Sequence, residues 1–148
     1  MAKLTVEEIL EAFFSLSYAG KQTATAARYA RVEGQLRCFL DTDGRLFLTP
    51  DAAMILELES AFGSEGAFAR IFDAEDLLYA LRGFLTPRWL LPDVQDRRTQ
   101  VSLTARLVQW LCSSHLVDRS WHGGEVRDVL TAAEKIRRSR ARGTDPAP

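Results

Sequence analysis

Ile9-Leu10-Glu11-Ala12-Phe13-Phe14-Ser15-Leu16, then Gly20-Lys21-Gln22-Thr23, then Thr25, Arg28, Tyr29, Arg31, Leu36 and Phe39-Leu40: the stretch from Ile9 to Leu40 decides the fold. Its apolar residues recur at i, i+3 and i+4, the period of a helix that buries one face. Thr5 followed by Glu8 has the form of a capping box, which predicts a first helix over about 6–19 with Val6, Ile9, Leu10, Phe13 and Phe14 in its stripe. Gly20 ends it. Thr23 or Thr25 is expected to cap a second helix to about Leu40, with Tyr29, Val32, Leu36, Phe39 and Leu40 on its apolar face and Arg28, Arg31 and Gln35 opposite.

The same reading extends along the chain. Asp41-Thr42-Asp43-Gly44 before Leu46-Phe47-Leu48 carries a hairpin signal, but the first apolar run continues a helical period and the second is short, so a helix ending in a turn is expected. Thr49-Pro50 predicts a capped helix through Ala53, Met54, Leu56, Leu58 and Phe62, stopped by Gly63-Ser64-Glu65-Gly66. Asp73 predicts a fourth helix, Ala74 to Leu85, with Leu77, Leu78, Leu81, Phe84 and Leu85 inward and Thr86-Pro87 at its end. Trp89-Leu90-Leu91-Pro92 reads as a connection lying against the core. Asp93 or Asp96 begins a fifth helix to about Val117, and Gly123-Gly124 is expected to separate it from a sixth over about 125–140. The expected fold class is therefore all-α: a compact bundle of five to six helices over 1–118, a basic helical extension over 119–142 belonging to the same domain, and a disordered tail over 143–148.

Composition fits one ordinary domain: 148 residues, 47% hydrophobic and 26% charged, with a net charge of −1. Glu7, Glu8 and Glu11 interrupt the only candidate leader, and no apolar run reaches the ~18 residues of a membrane span, so a cytoplasmic protein without a membrane partner is expected. The two cysteines, Cys38 and Cys112, make no disulfide framework and read as reduced core residues. Charge is uneven. Residues 1–76 carry 7 basic and 13 acidic groups, residues 77–118 carry 5 and 3, and residues 119–148 carry 7 and 4. An acidic front thus precedes a basic tail, whose arginines either meet an anion or simply suit a helix carboxyl end.

Several elements together resemble the SAM-like core-binding domain at the amino end of tyrosine recombinases and phage integrases. Thr25–Tyr29 and Leu36–Leu40 match that family's second helix, Thr49–Phe62 is similar to its third, and Leu81–Leu85 with Trp89-Leu90 looks like its fourth, over about residues 6–91. The resemblance implies a helical grip on double-stranded DNA. Strand cleavage needs a following domain with Arg, Lys, a His-x-x-Arg pair and a Tyr nucleophile. Here His115-Leu-Val-Asp118 and His122-Gly-Gly-Glu125 supply no such pair, and too few residues follow Leu91 to hold that domain. The implied role is non-catalytic.

DNA-binding candidates follow from placement. Lys21, Gln22 and Thr23 would present a helix amino terminus to phosphate, Arg28 and Arg31 lie just beyond, and Arg127, Lys135, Arg138 and Arg142 would add contacts from the last helix. The alternative is a helical interaction or homodimerisation protein using Trp89, Leu90, Leu91 and Trp121. Other chemistry reads poorly. Cys112-x-x-His115 lacks two further zinc ligands nearby, Asp41-x-Asp43-Gly44 lacks the remaining ligands of a calcium loop, and no glycine-rich phosphate loop or Gly-x-Ser-x-Gly elbow is present. No metal, cofactor or enzymatic activity is expected.

Overall fold

The computed structural model describes residues 3–141, with the backbone alone for 140 and 141. The expected tail over 143–148 and Arg142 lie outside the described residues.

The chain is all-α. Helix α1 (Val6–Tyr18) starts on the expected box: Thr5 Oγ1 accepts from Glu8 N at 3.2 Å, and Thr5 N donates to Glu8 Oε1 at 3.0 Å. Val6, Ile9, Leu10, Phe13 and Phe14 are all buried. Each such side chain contributes roughly 1.5–3 kcal/mol of burial. Its first turn is tied further along the chain, where Val6 N donates to Phe72 O at 2.8 Å.

Helix α2 (Thr23–Thr42) buries Val32, Leu36, Phe39 and Leu40. Its cap is Gln22, with no side-chain hydrogen bond, so neither Thr23 nor Thr25 plays the expected capping part. Arg37 joins the first two helices by pairing with Glu7 on α1 and with Glu33 on α2. Tyr18 donates to the same Glu33 at 2.8 Å, and burial followed by this carboxylate pushes the phenol pKa up to about 12. Cys38 is exposed, contrary to the core placement expected for it, because it falls on the outer side of α2, whose core contacts are made by Leu36, Phe39 and Leu40, whereas Cys112 is half-buried and packs against the core.

The Asp-Gly signal resolves as a helix end followed by a 3-10 turn (Gly44–Phe47), and among the described residues no β-strand forms. Asp43 is an anchor there, accepting from Trp89 Nε1 at 2.7 Å and pairing with Arg88 at 3.1 Å. Helix α3 (Pro50–Ser60) has its Thr49 cap, the hydroxyl accepting from Ala52 N at 3.2 Å. Only Leu56 on α3 is buried.

The sequence reading missed a short helix, α4 (Ala67–Ile71), which places Phe68 and the following Phe72 in the core with ring centroids 4.8 Å apart. Helix α5 (Ala74–Phe84) begins at Asp73, which caps reciprocally with Asp76, and buries Leu77, Leu78, Leu81 and Phe84. Gly83 is required for packing, since a Cβ there would run into the Phe47 ring.

Helix α6 (Val94–Ser113) stops earlier than the predicted Val117. His115 takes a left-handed φ of +58°, and Leu116 N and Val117 N both return to Leu111 O, closing the helix end. Helix α7 (Arg119–Ala141) starts earlier than expected, with a short first piece before Gly123-Gly124 and most of its length after them. Its start is fixed by Asp118, whose carboxylate accepts from Ser120 N at 2.9 Å and whose carbonyl accepts from Trp121 N and His122 N. The break falls at His122, where φ is −116° and ψ is 22°.

Both α2 and α7 pack against α6, while α7 also contacts α5. Val126, Val129 and Ala133 of α7 join the same buried cluster as the earlier helices.

Candidate functional site

The connection between α5 and α6 determines what α6 can present. Gln100 is 0% exposed, and its side chain makes three bonds to this connection. Its Oε1 accepts from Leu91 N at 2.8 Å, and its Nε2 donates to Phe84 O at 3.1 Å and Trp89 O at 3.0 Å. Gln35 of α2 donates to the same Trp89 carbonyl at 2.9 Å. Trp89 is buried with its ring edge against Phe39. Asp93 then caps α6, accepting from Asp96 N at 3.0 Å.

Val94, Arg97, Arg98, Val101 and Ser102 follow at the i, i+3, i+4, i+7 and i+8 spacing of one helix face. This face meets the carboxyl-terminal part of α7 across a groove of about 410 Å³. Leu90, Val94, Val101 and Ile136 form its apolar lining. Among the described residues, Arg97, Arg98, Lys135 and Arg137 are the cations that line it, and no carboxylate does.

The four cations differ in how far they are engaged. Arg97 donates from Nε to Leu91 O at 3.0 Å and from Nη2 to Pro92 O at 3.1 Å, which fixes its guanidinium against the connection. Among the described residues, Arg98, Lys135 and Arg137 form no ion pair. Asp96, the nearest acid in sequence, is already bound to Arg31 in a bidentate pair, Nε to Oδ2 at 2.9 Å and Nη2 to Oδ1 at 3.0 Å. Hydrogen bonding to Asp96 raises the Arg31 pKa still further, and the pair satisfies both side chains. The groove therefore offers apolar surface bounded by cations without an ion-pair partner among the described residues.

The candidates named from sequence lie at the start of α2, along it, and on α7. Lys21 and Gln22 are exposed ahead of α2, Thr23 is its first residue, and Arg28 lies half-buried with Nη2 at 3.4 Å from Thr25 Oγ1. Arg31 is occupied by Asp96, and Arg138 pairs with Glu134 at 3.2 Å. Arg127 is exposed on α7, and among the described residues Lys135 is the one named cation that lines the groove. Helix α6 packs with both α2 and α7, and the α2 and α7 sets are not brought into one cluster by any substantial contact between those helices. Among the alternative interface residues, Trp89 is buried, Leu90 and Leu91 are half-buried with Leu90 in the groove, and Trp121 is 81% exposed.

Sequence reasoning missed Arg97, Arg98 and Arg137. Their only signal was two dibasic pairs, Arg97-Arg98 and Arg137-Arg138, in separate helices. A second polar cluster surrounds the α7 kink, where Tyr79 Oη lies 3.2 Å from His122 Nδ1 and Glu75 lies 3.5 Å from Nε2. It joins α5 to α7 and accounts for the half-buried imidazole. Among the described residues, no group of three or more His, Cys, Asp or Glu side chains is placed to hold a metal ion. None of the described helices is long and apolar enough to cross a membrane.

Comparison with known protein families, curated proteins and solved structures returns no match for this chain.

Proposed function

We propose that this chain is a non-catalytic helical docking module whose α6–α7 groove receives an acidic, amphipathic helix from a protein partner. The observation that carries this reading is the apolar groove lined by Leu90, Val101 and Ile136 and bordered by Arg98, Lys135 and Arg137, which have no ion-pair partner among the described residues. Apolar anchors of a bound helix would bury against the lining, and acidic residues beside them would meet the cations. A binding surface made of these two parts selects for both properties at once. For the first five helices, the SAM-like, recombinase-grip arrangement is kept as part of the reading, supported by α2, α3 and α5 occupying the stretches that carry the resemblance.

Duplex DNA is the competing occupant, since the same cations would meet phosphate. Its support is weaker because Arg31 and Arg138 are committed to carboxylates and an apolar lining gives nothing to a phosphate backbone. A titration distinguishes the two. The probes are a fluorescent Glu-rich helical peptide with leucines at i, i+4 and i+7, its Leu→Ser counterpart, and a mixed-sequence duplex, each at two salt concentrations. Docking predicts binding of the leucine peptide and loss with the serine peptide. Duplex binding that falls steeply with salt, with no preference between the two peptides, would transfer the function to DNA.

A further inference from the structure

The groove has a counterpart elsewhere on the same chain. On α3, Leu56 faces the core while Met54, Ile55 and Leu58 are exposed, and Phe62 just beyond the helix is 90% exposed. Asp51, Met54, Ile55, Leu58 and Phe62 stand at i, i+3, i+4, i+7 and i+11, so they share the face opposite Leu56. Isolated exposed apolar residues are ordinary, but three on one face of a short helix, with Phe62 following its end, form a ridge. The ridge is acidic: Asp51 lies on it and Glu57 flanks it, and neither forms an ion pair among the described residues. Glu59 is already held by Arg70 at 3.1 Å. Apolar anchors at helical spacing with unpaired acids are what the cationic groove selects.

We infer that the occupant of the α6–α7 groove is the α3 ridge of a second copy of this chain. This inference rests on the docking reading of the groove and names its partner. The α3 ridge does not reach the groove of its own chain, because α3 packs on α4 and the 3-10 turn and makes no substantial contact with α6 or α7. Ridge and groove are different surfaces, so one contact leaves a ridge free on one copy and a groove free on the other, which a two-fold dimer closes by pairing them reciprocally and a head-to-tail arrangement passes to a further copy. In the second arrangement growth continues until a ring closes or the chain of copies ends. The uneven charge acquires a role, since the acidic front of one copy meets the basic helices of the next.

Sedimentation of the full chain over a concentration series tests this with two surface variants. A ridge variant carries Met54→Ser and Leu58→Ser; a groove variant carries Arg98→Glu and Lys135→Glu; circular dichroism establishes that both retain the helical fold. The wild-type mass should rise with concentration, and the rise should weaken in high salt. Each variant alone should remain monomeric, whereas an equimolar mixture should give a complex of twice the chain mass that grows no further, because one intact ridge meets one intact groove. Self-association lost in the ridge variant but retained in the groove variant would overturn the proposal in favour of ridge-to-ridge pairing. A wild type that stays monomeric while the leucine peptide still binds would overturn it and leave the docking function standing. Failure of both the peptide and self-association would remove the groove reading as well.

Discussion

Replacing Gln100 by leucine keeps the side chain's approximate size while removing all three of its bonds to the α5–α6 connection. Leu91 N–H and the Phe84 carbonyl then lose their partner, while the Trp89 carbonyl keeps Gln35. A buried backbone group left unpaired costs about 1–3 kcal/mol, and the apolar replacement recovers part of that, so a net loss of about 2–4 kcal/mol is expected. In a chain of this length that corresponds to a fall in melting temperature of about 5–15 °C. Urea unfolding followed by tryptophan fluorescence measures it, with Trp89 placed to report on the connection. Loosening this connection should also weaken peptide binding, because Leu90 lines the groove and Arg97 is held by Leu91 and Pro92. A Gln100→Leu midpoint equal to wild type would refute the claim that Gln100 fixes the connection and, through it, one wall of the groove.

Two phenylalanines six residues apart should behave oppositely: Phe62→Ser should leave stability within about 0.5 kcal/mol, since the ring is exposed, whereas Phe68→Ala should cost about 3–5 kcal/mol in denaturant unfolding. Thr5→Ala removes the α1 cap and should lower unfolding stability by about 1 kcal/mol. Burial first, then the charge of Asp73 and Glu75, raises the Asp76 pKa to about 6 against a favourable backbone bond from Asp73. Because the folded state holds this proton more tightly than the unfolded state, the group's contribution to stability falls as pH rises from about 4 to about 6. Asp76→Asn should therefore gain stability relative to wild type over that interval and keep the gain above it, as read from unfolding midpoints between pH 4 and 8.

What the sequence made legible was local. Thr5 with Glu8, Thr49-Pro50, and Asp73 announced three helix starts because a cap is a short-range arrangement, and the stripes of α1 and α5 named their buried residues correctly. Helix α4 escaped because five residues carry too little period to stand out between Gly66 and Phe72. Gly123-Gly124 marked an interruption to within one residue, at His122, but not the connection between α6 and α7, which lies at 114–118 and is closed by backbone bonds to Leu111 that no residue type announces. Cys38 misled for a different reason: a residue type that is commonly buried sat on the outward side of an amphipathic helix. The groove was least legible. Arg97 and Arg98 acquire meaning only when α7 brings Lys135 and Arg137 beside them, and Arg31 loses its apparent freedom only when α6 brings Asp96 to it.

The cationic, apolar groove between α6 and α7 is the proposed working surface of the molecule. Fluorescence anisotropy of the leucine-bearing acidic peptide, measured with wild type and with the Arg98→Glu, Lys135→Glu variant at the same salt, tests it most directly. The account predicts that the variant's affinity falls by about tenfold or more, equivalent to ~1.4 kcal/mol or more, with the fold unchanged. Equal affinity in the two proteins would contradict it.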